Sequence, residues 1–194
     1  MGKIYYMMGK SSSGKDTLYK EVLKALPKLK TLVLYTTRPI REGEQEGIEY
    51  HFVTDEELER FEKAGKIIEE RTYDTVYGAW NATIEDGQIN LAEYAYLVIG
   101  TLESYAGMKK CYGAENLVPI YIEVEDGERL SWALSRERQQ EQPKYEEMCR
   151  RFLADQKDFS EENLEEAGIG RRYYNDDKVQ CLEKIIGEIQ NGKF

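Results

Sequence analysis

Apolar positions in this chain fall in short blocks with two different periods. Ile4-Tyr5-Tyr6-Met7-Met8 is a continuous apolar run, which predicts a short buried strand. In the next block, residues 18–26, apolar side chains recur at helical spacing. Residues 31–35 predict a second strand and 50–53 a short third one. Thr54-Asp55-Glu56-Glu57 has the form of a capping box, so a helix is expected from there to about Ala64, with Gly65 as its stop. Residues 66–73 are expected to be extended and 83–91 helical. Residues 94–100 and 117–124 predict buried strands, and 127–139 and 145–159 predict charged helices. A last short strand at 173–175 is expected to lead into a helix over 177–190. Strands alternating with helices imply an α/β fold, a parallel sheet covered by helices. No internal repeat or Pro/Gly-rich linker interrupts the pattern, so one domain is expected.

Composition narrows the partners. Residues are 41% hydrophobic and 33% charged, which predicts a soluble globular chain. No apolar run approaches the ~20 residues that span a bilayer, so no membrane partner is expected. Nor is a signal peptide, since Lys3 is followed by five apolar residues before Gly9. Cys111, Cys149 and Cys181 are odd in number and far apart, which predicts a reducing, cytoplasmic location. The net charge of −10 argues against general nucleic-acid binding, and local basic groups must hold any anionic ligand.

The first such group follows the first strand. Gly9-Lys10-Ser11-Ser12-Ser13-Gly14-Lys15-Asp16-Thr17 matches G-x-x-x-x-G-K between a predicted strand and a predicted helix. Glycines let the backbone approach phosphate oxygens, and loop and helix N–H groups face the anion. Lys15 can reach β- and γ-phosphates. The plainer reading is a Gly/Ser turn between strand and helix. The residue after the motif lysine is usually a Ser or Thr that binds magnesium; here it is Asp16. Asp16 is either an altered Mg2+ ligand, the reading adopted, or an acid at a helix N-terminus.

The second group is Thr36-Thr37-Arg38-Pro39-Ile40-Arg41, followed by Gly43, Glu44, Gly47, Tyr50, Phe52 and Val53. Two arginine forks on a stiffened loop match a phosphate, with Tyr50 adding a hydroxyl. Glu42, Glu44, Glu46 and Glu49 equally allow a solvated loop of Arg–Glu pairs. This segment resembles the nucleoside-monophosphate-binding signature of guanylate kinases. Ile67-Ile68-Glu69 resembles the family segment whose Glu contacts guanine. Tyr77-Gly78 resembles its phosphate-binding Tyr-Gly pair, and Asn175-Asp176-Asp177 its late motif near the adenine.

The resemblance implies a P-loop nucleoside-monophosphate kinase. Its sheet core would be about 1–35 and 91–194, its acceptor-binding insertion about 36–90 and its small lid about 136–151. The implied reaction moves the γ-phosphate of MgATP to GMP. Lys15, Arg41 and the lid arginines Arg138 and Arg151, with Arg136 and Arg150 as alternates, would serve the transferring group. Gly9 to Thr17 and Asn175 would bind ATP. Arg38, Arg41, Tyr50, Glu69, Tyr77, Gly78 and Thr101 would bind the acceptor. The expected partners are nucleotides, and the expected state is a monomer or homodimer.

Four positions depart from the family pattern. Leu34 stands for a guanine-contacting serine and Ala79 for a Ser or Thr. Ile99 and Thr101 stand where an acidic pair is usual, with Glu103 the nearest acid. Asp16 is the fourth. A reduced guanine grip follows. Gly14-Lys15-Asp16-Thr17 and Gly100 resemble features of ribose 1,5-bisphosphate phosphokinases, the alternative activity. A third reading is a non-catalytic guanylate-kinase-like binding module.

Overall fold

The computed structural model describes residues 2–40, 44–47, 50–72, 80–84 and 87–192. Its centre is β1 (Ile4–Met8), all five residues of which are buried. β1 lies between β6 (Tyr96–Ile99) and β7 (Leu117–Glu123), and β8 (Arg172–Tyr174) extends the sheet in the order β6-β1-β7-β8, every pair parallel. A strand covered on both faces reads as an unbroken apolar run rather than an alternating one. Ile4, Tyr6 and Met8 pack with Tyr105, Met108, Phe159 and Leu164 on one face. Tyr5 and Met7 pack with Leu18, Val22, Cys181 and Ile185 on the other. α1 (Lys15–Ala25) and α7 (Lys178–Asn191) therefore form one outer layer. α3 (Leu102–Tyr112) and α6 (Glu161–Glu166) belong to the opposite one. α4 (Asp126–Glu137) and α5 (Tyr145–Asp158) form a hairpin joined by residues 138–144.

A second sheet has the order β3-β2-β5-β4, from β2 (Leu34–Thr36), β3 (Tyr50–Phe52), β4 (Ile67–Thr72) and β5 (Trp80–Ile84). It is mixed: β2 and β3 are parallel, while β5 runs antiparallel to β2 and β4. α2 (Asp55–Lys63) packs Leu58 and Phe61 against Tyr35 and Ile67. Its capping box is present: Glu57 N–H donates to Thr54 Oγ1 at 3.2 Å, and Thr54 N–H to Glu57 Oε2 at 2.9 Å.

Two expectations need correction, and two helices lie where none was expected. The helix expected over 83–91 is absent among the described residues there; Thr83 and Ile84, residue types that favour strands, end β5, where they pair with Glu69 and Ile67 of β4. The strand expected at 31–35 begins at Leu34 and belongs to the second sheet; Lys30 alone of this stretch bridges to Tyr96 in the core. Helices α3 and α6 carry no strong apolar period, and the sequence pattern does not reveal them. α3 joins the two sheets. A Cβ on Gly107 would stand 2.7 Å from the Ile68 carbonyl of β4, so the helix backbone lies directly on that strand.

Candidate active site

The loop after β1 is shaped by contacts at both ends. Gly14 has φ +79° and caps α1, a left-handed conformation that glycine adopts without strain. Asn175, buried just after β8, donates from Nδ2 to the Ser13 carbonyl at 2.8 Å. Ser12 has φ +63°, the one non-glycine residue with positive φ among those described. Its hydroxyl accepts from Arg136 Nη2 at 3.1 Å. The N–H groups of Gly14, Lys15 and Asp16 meet no acceptor among the described residues. Three free N–H groups at a helix N-terminus form an anion cradle. Lys15 Nζ rests 3.5 Å from Asp16 Oδ2, and the Asp16 side chain is 77% exposed.

Beside the loop is a cavity of about 500 Å³, lined by Lys10, Ser13, Glu125, Asp126, Tyr174 and Asp176 among others. Ser13 Oγ and Asn175 Oδ1 are buried without a hydrogen-bond partner among the described residues. Such groups cost free energy until a partner arrives.

On the other side of the loop, beyond β6, Glu69 of β4 meets the core. Thr101 Oγ1 lies 3.4 Å from Glu69 Oε1 and also accepts the Ser104 N–H as the cap of α3. The two positions expected to face the acceptor base thus converge. Arg38 is held by Glu44, with Nη1 to Oε2 at 2.7 Å and Nη2 to Oε1 at 2.5 Å. Its guanidinium lies 4.9 Å from the Tyr50 ring centroid and 5.3 Å from that of Phe52. The hydrogen bonds from Arg38 to Glu44 raise the Arg38 pKa. His51 pairs with Glu46 at 2.8 Å. Arg41, Tyr77, Gly78 and Ala79 lie outside the described residues.

Among the arginines of the hairpin, the alternate Arg136 is the one that contacts the loop. Arg138 is exposed and has no contact with the loop among the described residues. Arg150 and Arg151 both pair with Glu147, at 2.7 and 3.1 Å. Sequence reading missed Arg129 of α4 and Asp155 of α5. Both meet Ser11, and Arg129 is 1% exposed. Neither belongs to a motif, and Arg129 in a charged helix has the sequence signature of a solvated side chain.

A family model described as guanylate kinase matches residues 1–165. The guanylate kinase of Neisseria gonorrhoeae is 38% identical over 121 residues, covering 62% of this chain and 58% of that protein. That of Thermotoga maritima is 34% identical over 122 residues, covering 62% and 57%. That of Chromohalobacter salexigens is 36% identical over 85 residues, covering 43% and 40%. The chain thus spans between two fifths and three fifths of the length of these curated relatives. The crystal structure of guanylate kinase from Anaplasma phagocytophilum superposes with a TM-score of 0.67 at 20% identity. The match covers 100% of this chain and 87% of that one, which supports the same fold.

Proposed function

This chain belongs to the guanylate kinase family, and from that premise we propose that it transfers the γ-phosphate of ATP to GMP, giving ADP and GDP. The observation that carries this reading is the row of unpartnered N–H groups at Gly14, Lys15 and Asp16, with the Lys15 ammonium beside them. In the transfer, the bond from γ-phosphorus to the ADP oxygen breaks and a bond to a GMP phosphate oxygen forms. That oxygen is already anionic near neutral pH, so no protein base is needed. Positioning and charge stabilisation supply the catalysis. The loop and Lys15 hold the donor phosphates, and Asn175 supports the loop from behind. Arg38, Arg41, Tyr50, Tyr77 and Gly78 bind the acceptor phosphate. Glu69 and Thr101 take the guanine edge. Arg136, Arg138 and Arg151 approach the transferring group when the hairpin closes and water is excluded.

The exposed Asp16 carboxylate suits a Mg2+ that keeps most of its waters and is otherwise held by nucleotide phosphates. Bound there, the ion would neutralise charge on the β- and γ-oxygens. Glu103 follows Thr101 in the first turn of α3 and is exposed. A cytoplasmic location fits the odd number and wide spacing of the three cysteines. Among the described residues no helix is long and apolar enough to cross a membrane. The ligands are small nucleotides, and the protein works as a monomer or homodimer.

The test is ADP release from ATP with GMP, dGMP, AMP, UMP and ribose 1,5-bisphosphate as acceptors. GMP should be turned over fastest. Lys15→Ala should cost roughly 10² or more in kcat with an unchanged circular dichroism spectrum. Turnover of the ribose phosphate alone would reassign the acceptor, and absence of turnover with every acceptor would point to a binding module. Gly100, a feature shared with the ribose-phosphate enzymes, has a local reason here. A Cβ at that position would stand 2.0 Å from the Tyr6 hydroxyl.

A further inference from the structure

Arg129 has no part in the scheme above, yet it is the largest fully buried side chain among the described residues. A buried charge persists only when its donors are met. Nη1 donates to the Ser11 carbonyl at 3.0 Å and to Asp155 Oδ2 at 3.1 Å. Nη2 and Nε donate to Asp126 Oδ1 at 2.9 and 3.2 Å. The guanidinium also lies 4.2 Å from the Phe152 ring centroid. Asp155 Oδ2 in turn accepts the Ser11 N–H at 2.8 Å. Both backbone polar groups of Ser11 therefore end on one ion pair, whose halves come from α4 and α5.

The neighbouring contacts extend the same junction. Lys10 Nζ lies 3.6 Å from Asp126 Oδ1 and also donates to Gln156 Oε1. Gln156 Nε2 donates to Asp126 Oδ2. Ser12, directly after the clamped residue, is the left-handed one, a conformation that persists only where surrounding contacts impose it. Released from Ser11, the loop would relax at Ser12 and the cradle N–H groups would lose their common aim.

We propose that Arg129 and Asp155 clamp Ser11 and so hold the phosphate loop in its anion-binding shape, making Arg129 a positioning residue for the donor nucleotide. The proposal rests on the reading of that loop as the ATP-phosphate cradle. It assigns the base of the α4–α5 hairpin a task separate from its arginine-bearing tip. It also makes the effect one-sided, because the clamp touches the loop and neither Arg38 nor the strand that carries Glu69.

Arg129→Met with Asp155→Leu separates positioning from simple structural support. Replacing a buried ion pair by apolar groups of similar volume leaves stability near or above its starting value. The double variant should therefore melt at about the native temperature. ATP affinity, measured by calorimetric titration without acceptor, should nevertheless fall by about tenfold or more, and kcat with it, since small misplacements of reacting groups are costly. The KM for GMP should not move. Native ATP affinity in the folded double variant would overturn the clamp while leaving the kinase reading intact. Failure of the unmodified protein to bind ATP would remove both. Should the double variant not fold, Arg129→Lys decides. It keeps the charge between Asp126 and Asp155 but loses the planar fork, so ATP affinity should fall severalfold. An unchanged affinity in that variant would overturn the clamp.

Discussion

Arg38 shows how its neighbours fix the position of one side chain. Glu44 takes the Nη1–Nη2 edge of the guanidinium, and the Pro39 carbonyl takes a further Nη1 proton at 3.0 Å. Arg38 Nε has no acceptor among the described residues, and the rings of Tyr50 and Phe52 flank the guanidinium. The acidic crowding in this loop thus does two jobs: Glu44 orients Arg38, while Glu46 accepts the Phe52 N–H and pairs with His51. Glu44→Gln should leave the ATP KM unchanged and raise the GMP KM by roughly an order of magnitude. One charge-assisted bidentate contact, worth about 1.5–3 kcal/mol, is weakened. Steady-state kinetics with each substrate varied in turn would check this, and equal changes in both KM values would refute it. The two arginines were legible in the sequence as either a phosphate-binding pair or one half of a set of Arg–Glu pairs. The partner of Arg38 was not, because four glutamates lie within reach along the chain and spacing alone does not choose among them.

At the scale of elements, the decisive contact is α3 on β4. In a solvent-facing helix, Gly→Ala gains about 1 kcal/mol in helix propensity. At Gly107 the sign should reverse, since the new methyl would meet the Ile68 carbonyl at 2.7 Å. Gly107→Ala should lower the melting temperature and weaken GMP binding, because Glu69 follows Ile68 directly; a gain in both would show that the helix shifts freely. α5 offers a pH test. Hydrogen bonds from Arg150 exceed the burial penalty and, with the charges of Arg150 and Arg151, pull Glu147 from the usual 4.5 down to about 2. Its folded pKa is depressed, so its stabilisation is fully present above about pH 4.5 and is lost as pH falls toward 2. The difference in melting temperature between the protein and Glu147→Gln should therefore be constant above pH 5 and vanish near pH 2. Calorimetry across that range would measure it, and a difference that persists at the acid end would show that the charge is not responsible.

The molecule as a whole is two sheets joined at α3 and at the Glu69–Thr101 contact, with the glycine-rich loop at the end of the central strand. A ligand carrying both a purine donor and a guanine acceptor would tie the sheets together. At about 100 times its Kd it should add about 2.7 kcal/mol of stability, or roughly 5–10 °C in melting temperature for a chain of this size. A shift no larger than that produced by ATP at the same concentration would show that the second subsite is not engaged. What the sequence determined by itself is whatever depends on local spacing. The apolar run and the glycine-rich loop specify a buried strand, a turn and the start of a helix, since residue types there act on their immediate neighbours. The capping box set the start of α2 for the same reason. What only the tertiary structure decided is whatever depends on residues far apart in the chain. β2 left the core for the second sheet because its partners are Tyr50–Phe52 and Trp80–Ile84. Ser11 and Arg129 are 118 positions apart, and Thr101 and Glu69 are 32 apart. Hydrogen bonds over such separations leave no periodicity to read, because the fold brings the partners together and no local pattern records that they meet.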